Sequence, residues 1–269
     1  MFSPRNQSLA GLLLAVLFIL ISQTPAFANE KKPLRFCYGN WEPFIFENDQ
    51  GQVEGVAVDL ITIALTGTEY EAVYESMPYK RCSDEVMRGR KDVVMFLSPG
   101  SLDVLESKSV FAYWSVAAIV HKNDPLSRFS ASADLNGKSL LVIDGYAYPG
   151  VLGQWIKTSN QVIAVNYGKE KDEDYLRPFR MLEAGRAHVF FEDSYWGREL
   201  IKDNQLDLKV LMPSIVVEAN RLGFTYGLEE VREMIDDNLS RLSAAERDQI
   251  FHKHSGQSEA DFSTSFTEN

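Results

Sequence analysis

The feature that most constrains this chain is a hydrophobic pattern that switches period again and again. "LRFCY" (34–38), "EAVYESM" (71–77) and "DVVMFL" (92–97) read as strands. Between them, "GVAVDLITIAL" (55–65) and "YKRCSDEVMRG" (79–89) carry helical stripes, and Gly89 stops the second. Turn residues Asn48, Asp49, Gln50 and Gly51 between two short apolar pieces signal a hairpin. The unbroken apolar run of "DVVMFL" suits a parallel strand covered on both faces. Such alternation calls for an α/β architecture with right-handed crossovers.

The pattern then pauses at "FAYWSVAAIVHKNDP" (111–125), a longer extended segment, and resumes. "SLLVID", "QVIAVNY" and "AHVFFED" read as strands, interleaved with helices in "AYPGVLGQWIKT", "DEDYLRPFRMLEAG" and "YWGRELIKDN". "DLKVLMP" and "RLGFTYG" are two further extended pieces, followed by one long helical stretch from Leu228 to about Lys253. Two α/β units joined by extended crossings, with a helix left over, predict a second lobe inserted into the first. The expected bounds are 29–112 plus 219–255 for lobe 1 and 113–218 for lobe 2. The hinge is expected around Ala112 to Val120 and Met212 to Leu222. The polar tail 256–269 is expected to be disordered.

Residues 1–28 hold one arginine, an apolar run from Leu9 to Ile21 and then Ala26-Phe27-Ala28, the layout of a cleaved signal peptide. The run is too short to span a bilayer. Export to the periplasm is the expectation. Removing the leader makes the chain more negative than its formal −11, which argues against nucleic acid and anionic membranes as partners. Cys37 and Cys82 would meet an oxidising compartment, where a bridge between them and two separately buried thiols are both open.

Trp41 lies in the proline-broken stretch "GNWEPFIF" (39–46), where no helix or strand buries it. "W-E-P-F", then "G-V-A-V-D-L" leading a helix, then "V-M-R-G-R-K-D-V-V-M", "DLNGKSLLVIDGYAY" and "MLEAGRAHVFFED" follow in order along the chain. Together they resemble the extracellular solute-binding protein family 3, the type II periplasmic binding proteins. The resemblance implies two lobes closing on a small solute for an inner-membrane ABC permease, in a protein expected to be monomeric. A sensory protein docking to a membrane receptor is the alternative use of the same clamshell, and a dehydratase-like enzyme a further one.

Carried onto this sequence, the resemblance implies a cleft touched by Trp41, Tyr79, Phe96, Ser98, Tyr146 and Ala147, with Asp193 holding a ligand amino group. Asp193 also reads as a helix cap for "SYWGREL". The family's T-x-x-R segment, whose arginine grips a carboxylate, is replaced by "LSPGSLDVLE", and no basic residue occurs between Lys91 and Lys108. Arg81 either takes over that role or is a solvated first-turn charge beside Asp84 and Glu85. Two ligand classes follow: an amine or other cation on Asp193 and aromatic faces, or a carboxylate on Arg81. No cofactor or metal is implied; His252 and His254 read as a solvated helix end, and no catalytic residue is assigned.

Overall fold

The computed structural model describes residues 30–167 and 173–263. The leader assigned to residues 1–28 lies outside them. The chain divides into two units, Met1–Lys32 and Pro33–Asn269, and the fold belongs to the second. Among the described residues no helix is long and apolar enough to cross a membrane.

Strand β1 (Lys32–Tyr38), the hairpin β2 (Phe46–Glu47) and β3 (Val53–Glu54), helix α1 (Val56–Leu65), strand β4 (Tyr70–Ser76), helix α2 (Tyr79–Met87) and strands β5 (Val93–Leu97) and β6 (Leu105–Glu106) build the first half. Strand β7 (Ala112–His121) leads out of it. The second half holds β8 (Leu140–Ile143), α3 (Gly150–Thr158), β9 (Val162–Val165), α4 (Glu173–Glu183), β10 (Val189–Asp193) and α5 (Ser194–Asp203). Strand β11 (Leu208–Phe224) returns to the first half, and α6 (Glu229–Leu239), α7 (Ala244–Ser255) and α8 (Glu259–Ser263) close it. The strands run in the order β4-β1-β5-β11-β7-β10-β8-β9, with β6 on β11. β1 and β5 are parallel, as are β8 with β9 and β10, while the crossing strands β7 and β11 are antiparallel to each other and to their neighbours. This is a mixed α/β fold on one continuous nine-stranded sheet, in which β11 joins the first-half portion (the first sheet) through β7 to the second-half portion (the second sheet), with β2 and β3 pairing apart.

The two extended crossings expected from sequence are one antiparallel ribbon, paired from Leu208 with His121 to Asn220 with Ala112. "DLKVLMP" and "RLGFTYG" are thus the ends of one strand, interrupted by a register shift between Leu211 and Val216, where Pro213 cannot donate to the ladder. Apolar cores lie on either side of this ribbon. One packs α1, α6 and α7 against the first sheet around Phe36, Phe44, Leu60 and Phe224. Two more cover the faces of the second sheet around Phe191 and Phe190.

Two expectations need correction at the C-terminus. The single helix beyond Leu228 is broken after Leu239, because Ser243 caps a new helix and forms a reciprocal capping box with Glu246. The tail is ordered through Ser263: α8 buries Phe262, only 2% exposed, against Phe44 and Phe251, and Glu259 pairs with Arg247 at 2.7 Å. One buried aromatic and one half-buried ion pair suffice to dock a short helix of otherwise polar composition. Residues 264–269 lie outside the described range.

Candidate functional site

A cavity of about 970 Å³ opens between the two halves. On the first-half side its wall starts in the Trp41 stretch. Trp41 N–H donates to the Ile45 carbonyl at 2.7 Å and Ile45 N–H donates back at 3.0 Å, closing a tight turn around Pro43. The turn is seated on α1: Val56 N–H donates to Pro43 O at 3.0 Å and Ala57 N–H to Phe44 O at 2.9 Å, using donors that a helix start leaves free. Gly55 permits this approach, since at φ 132° a Cβ would stand 2.4 Å from Phe44 O. Trp41 then lies edge-on to Phe44 and Phe96, with ring centroids 4.8 and 4.9 Å away, and packs against the cores of both halves. Phe96, next to last in β5, is in the left-handed region at φ 63°, a conformation that costs a non-glycine residue about 1–3 kcal/mol. Behind this wall, Cys37 and Cys82 form a disulfide with Cα atoms 5.6 Å apart, tying β1 to α2.

The second-half wall is built differently. Glu192, near the end of β10, lines the cavity and is 2% exposed. Its carboxylate accepts from the Tyr167 hydroxyl at 2.6 Å, from Asp193 N–H at 2.8 Å and from the Trp114 side chain. Burial, more than any partner, pushes its pKa up to about 7. Around it stand Trp114, Tyr146, Tyr167, Tyr175 and Trp196. Tyr146 lies 5.6 Å from Trp114 and 6.2 Å from Tyr167, both edge-on, and Tyr175 packs 5.1 Å from Tyr167. Tyr148 supports this ring from behind, accepting from Ile143 N–H at 2.9 Å and donating to Phe191 O at 3.1 Å.

Several contacts join the walls. Tyr79 meets Tyr146 at 6.2 Å, and the Ser98 hydroxyl donates to Ala147 O at 3.3 Å. Asn40 N–H donates to the Tyr175 hydroxyl at 3.1 Å, and Lys80 pairs with Asp144 at 3.3 Å. The Lys80–Asp144 pair is exposed and is worth at most about 1 kcal/mol. The halves therefore meet around the cavity.

Of the residues singled out in the sequence, Trp41, Tyr79, Arg81, Phe96, Ser98, Tyr146 and Ala147 all line the cavity, with Arg81 exposed at its edge. Asp193 does not line it, and the ligand contact expected there is corrected. Its Oδ1 accepts from Tyr195 and Trp196 N–H at 3.0 and 2.8 Å, capping α5, and its Oδ2 accepts from Ser115 N–H at 3.2 Å. It is a buried cap beside the hydroxyls of Ser115, Ser194 and Ser214, which bond in a chain of 3.1 and 2.7 Å. Two other tyrosines near in sequence to cavity residues do not line it: the Tyr113 hydroxyl donates to Glu259 and the Tyr195 ring packs on Phe262. His254 is no solvated helix end, since it sits with Lys253 on Asp59 at 2.9 and 2.7 Å. Among the described residues no group of three or more His, Cys, Asp or Glu side chains is placed to hold a metal ion. Sequence reading missed Trp114, Tyr167, Tyr175 and Trp196, whose strand, loop and helix positions carry no local signal of a shared cavity.

No protein-family model matches the chain, and no curated protein matches it in sequence. Solved structures do resemble it. The substrate-binding protein of an amino acid ABC transporter is 17% identical, with 84% of this chain and 100% of that one covered at a TM-score of 0.69. An ancestral arginine-binding protein bound to arginine is 20% identical over 84% of this chain and 99% of that one, also at 0.69. A histidine kinase sensor domain with similarity to periplasmic binding proteins is 15% identical over 86% and 99%, again at 0.69. The fold is that of the two-lobed periplasmic binding proteins. In this chain the β7–β11 ribbon runs between the two halves, and the cavity lies between them.

Proposed function

We propose that this protein is an exported solute-binding protein of the family 3 type, which closes its lobes on a small polar solute in the periplasm and delivers it to an inner-membrane ABC permease. The observation that carries the reading is the cavity itself, lined from both lobes by Trp41, Tyr79, Phe96, Ser98, Tyr146 and Ala147 and crossed at its edges by direct contacts. A solute touching both lobes stabilises the closed form by its differential affinity for that form. The β7–β11 ribbon, with its register shift at 211–216, is where rotation would be absorbed.

The chemistry of the walls favours an amine or other cation, with Glu192 in the part that sequence reading gave to Asp193. Arg81 supports the competing carboxylate reading. If it grips a carboxylate, Arg81→Ala removes binding of that ligand; an unchanged dissociation constant excludes the role. Native mass spectrometry of protein purified gently from its own exported compartment tests the main reading by identifying any co-purified small molecule. Absence of any bound solute, with no solute able to restore one, would count against it.

The likeness to a histidine kinase sensor domain supports a second use, presentation of the solute to a membrane receptor. Capture of the closed protein by a permease or by a receptor kinase in cross-linked membranes separates the two. We read the protein as a binder and assign no catalytic residue.

A further inference from the structure

Glu192 is the acid most deeply set in the cavity, and its known partners are neutral. A phenol, an indole and a backbone N–H donate to it, and none of its partners among the described residues is a cation. A negative charge held this way is desolvated without being compensated, so a positive charge brought beside it gains more than it would at the surface. The rings around it present faces and edges to the same space, with Trp114, Tyr146 and Tyr167 linked at 5.6 and 6.2 Å. Asn40 Oδ1 also lines the cavity, buried and without a hydrogen-bond partner, and can accept from an N–H.

The cations of the cavity are elsewhere. Among the described residues Lys80 and Arg81 are the basic residues lining it; both are exposed, and Lys80 is engaged by Asp144 across the cleft. Among the described residues, a ligand carboxylate in the deep part of the cavity would face Glu192 with no arginine fork to receive it.

We propose that the cavity selects an organic cation lacking a carboxylate, such as an amine, a guanidine or a quaternary ammonium, with its charged head seated against Glu192 inside the ring of Trp114, Tyr146 and Tyr167. This deepens the clamp reading and rests on it. The aromatic faces supply cation–π attraction, and Glu192 supplies the ion pair that the desolvated site otherwise lacks. Asp193 supplies neither, because its oxygens are spent on α5 and Ser115.

The test uses matched pairs that differ by the carboxylate alone: agmatine against arginine, tyramine against tyrosine and histamine against histidine, with choline added. Each is titrated calorimetrically into the solute-stripped full-length mature protein, and compaction is followed by small-angle scattering on the same samples. At least one decarboxylated member should bind at least about tenfold more tightly than its amino acid. Glu192→Gln should weaken that binding by about thirtyfold or more, while Asp193→Asn should change stability and leave the amine-over-amino-acid preference in place. Equal or tighter binding of the amino acids, an unchanged affinity in Glu192→Gln, or silence of every amine overturns the proposal. Compaction by an amino acid with silence of the amines would overturn the ligand class and keep the clamp. Failure of even the co-purified solute to compact the protein would overturn the clamp reading itself. Should Glu192→Gln fail to fold, the amine-over-amino-acid ratio in the unmodified protein decides the ligand class alone.

Discussion

The two walls of the cleft are held by different physics. The first-lobe wall is a backbone construction: a turn around Pro43 seated on the N-terminus of α1, a glycine at the one point where a side chain would collide, and a disulfide behind. The second-lobe wall is a side-chain construction: one buried acid held by neutral donors within interlocking rings. A wall fixed by backbone offers shape and little charge. A wall fixed by side chains stores an electrostatic demand that a ligand can answer, at some cost to the unliganded fold.

Breaking the first wall should therefore cost stability before anything else. Replacing Cys37 and Cys82 by serine releases a closure 45 residues apart in sequence, for which the chain-entropy model gives about 4 kcal/mol. Denaturant melts should show a loss of about 2–4 kcal/mol, and a loss below about 1 kcal/mol would mean that the bridge constrains little. Gly55→Ala should cost about 2–3 kcal/mol through its collision with Phe44 O and should also displace Trp41, seen as a shift in its fluorescence. A variant of wild-type stability would show that the turn can slide off α1 freely.

The adjacent acids of the second lobe sharpen the contrast. Asp193→Ala strips three backbone N–H groups of their acceptor and should cost about 2 kcal/mol. Glu192→Gln keeps the shape and removes the buried charge, so in the absence of ligand it should be neutral or stabilising at neutral pH. A cost as large as that of Asp193→Ala would place Glu192 among the structural residues.

Acidity offers a further check. Burial raises Glu192 from 4.5 to about 7 and Asp193 from 3.8 to about 6. Both folded values lie above the unfolded ones, so the folded state holds more protons in that interval and stability falls as pH rises through it. Asp59 and Asp92, lowered by Lys253, His254 and Arg35, act in the opposite direction but only below the ordinary carboxylate range. Melting temperature should therefore decline between about pH 5 and 7, and less so in Glu192→Gln; a rise over that interval contradicts the burial argument. Among the losses, the smallest is expected from Lys80→Ala, about 1 kcal/mol or less, because its pair with Asp144 is exposed.

The α/β alternation and the placement of Trp41 beside the cavity were legible because each rests on a local pattern: period, turn residues, a proline beside aromatics. Asp193, expected at the cleft, caps α5 instead, and it is Glu192, one residue earlier, that lines the cavity. Both acids end the same strand, and only the start of α5 decides which of them turns to cap the helix and which faces the cleft. An aspartate directly before a helix is itself a cap signal, and a hydrogen-bonded cap leaves little for a ligand. Trp114, Tyr167, Tyr175 and Trp196 reach the cavity from a strand, a loop and two helices, and only tertiary packing brings them together. The continuity of β11 was hidden by Pro213 and the register shift around it, and the docking of α8 by the polar residues that surround Phe262.

The most direct test of the account is small-angle scattering on full-length mature protein from which any solute has been stripped by partial unfolding and dialysis, measured before and after its own co-purified solute is returned. Closure on a solute held between the lobes predicts a smaller radius of gyration on saturation, reversed when the solute is removed again. Identical scattering in the two states would contradict it.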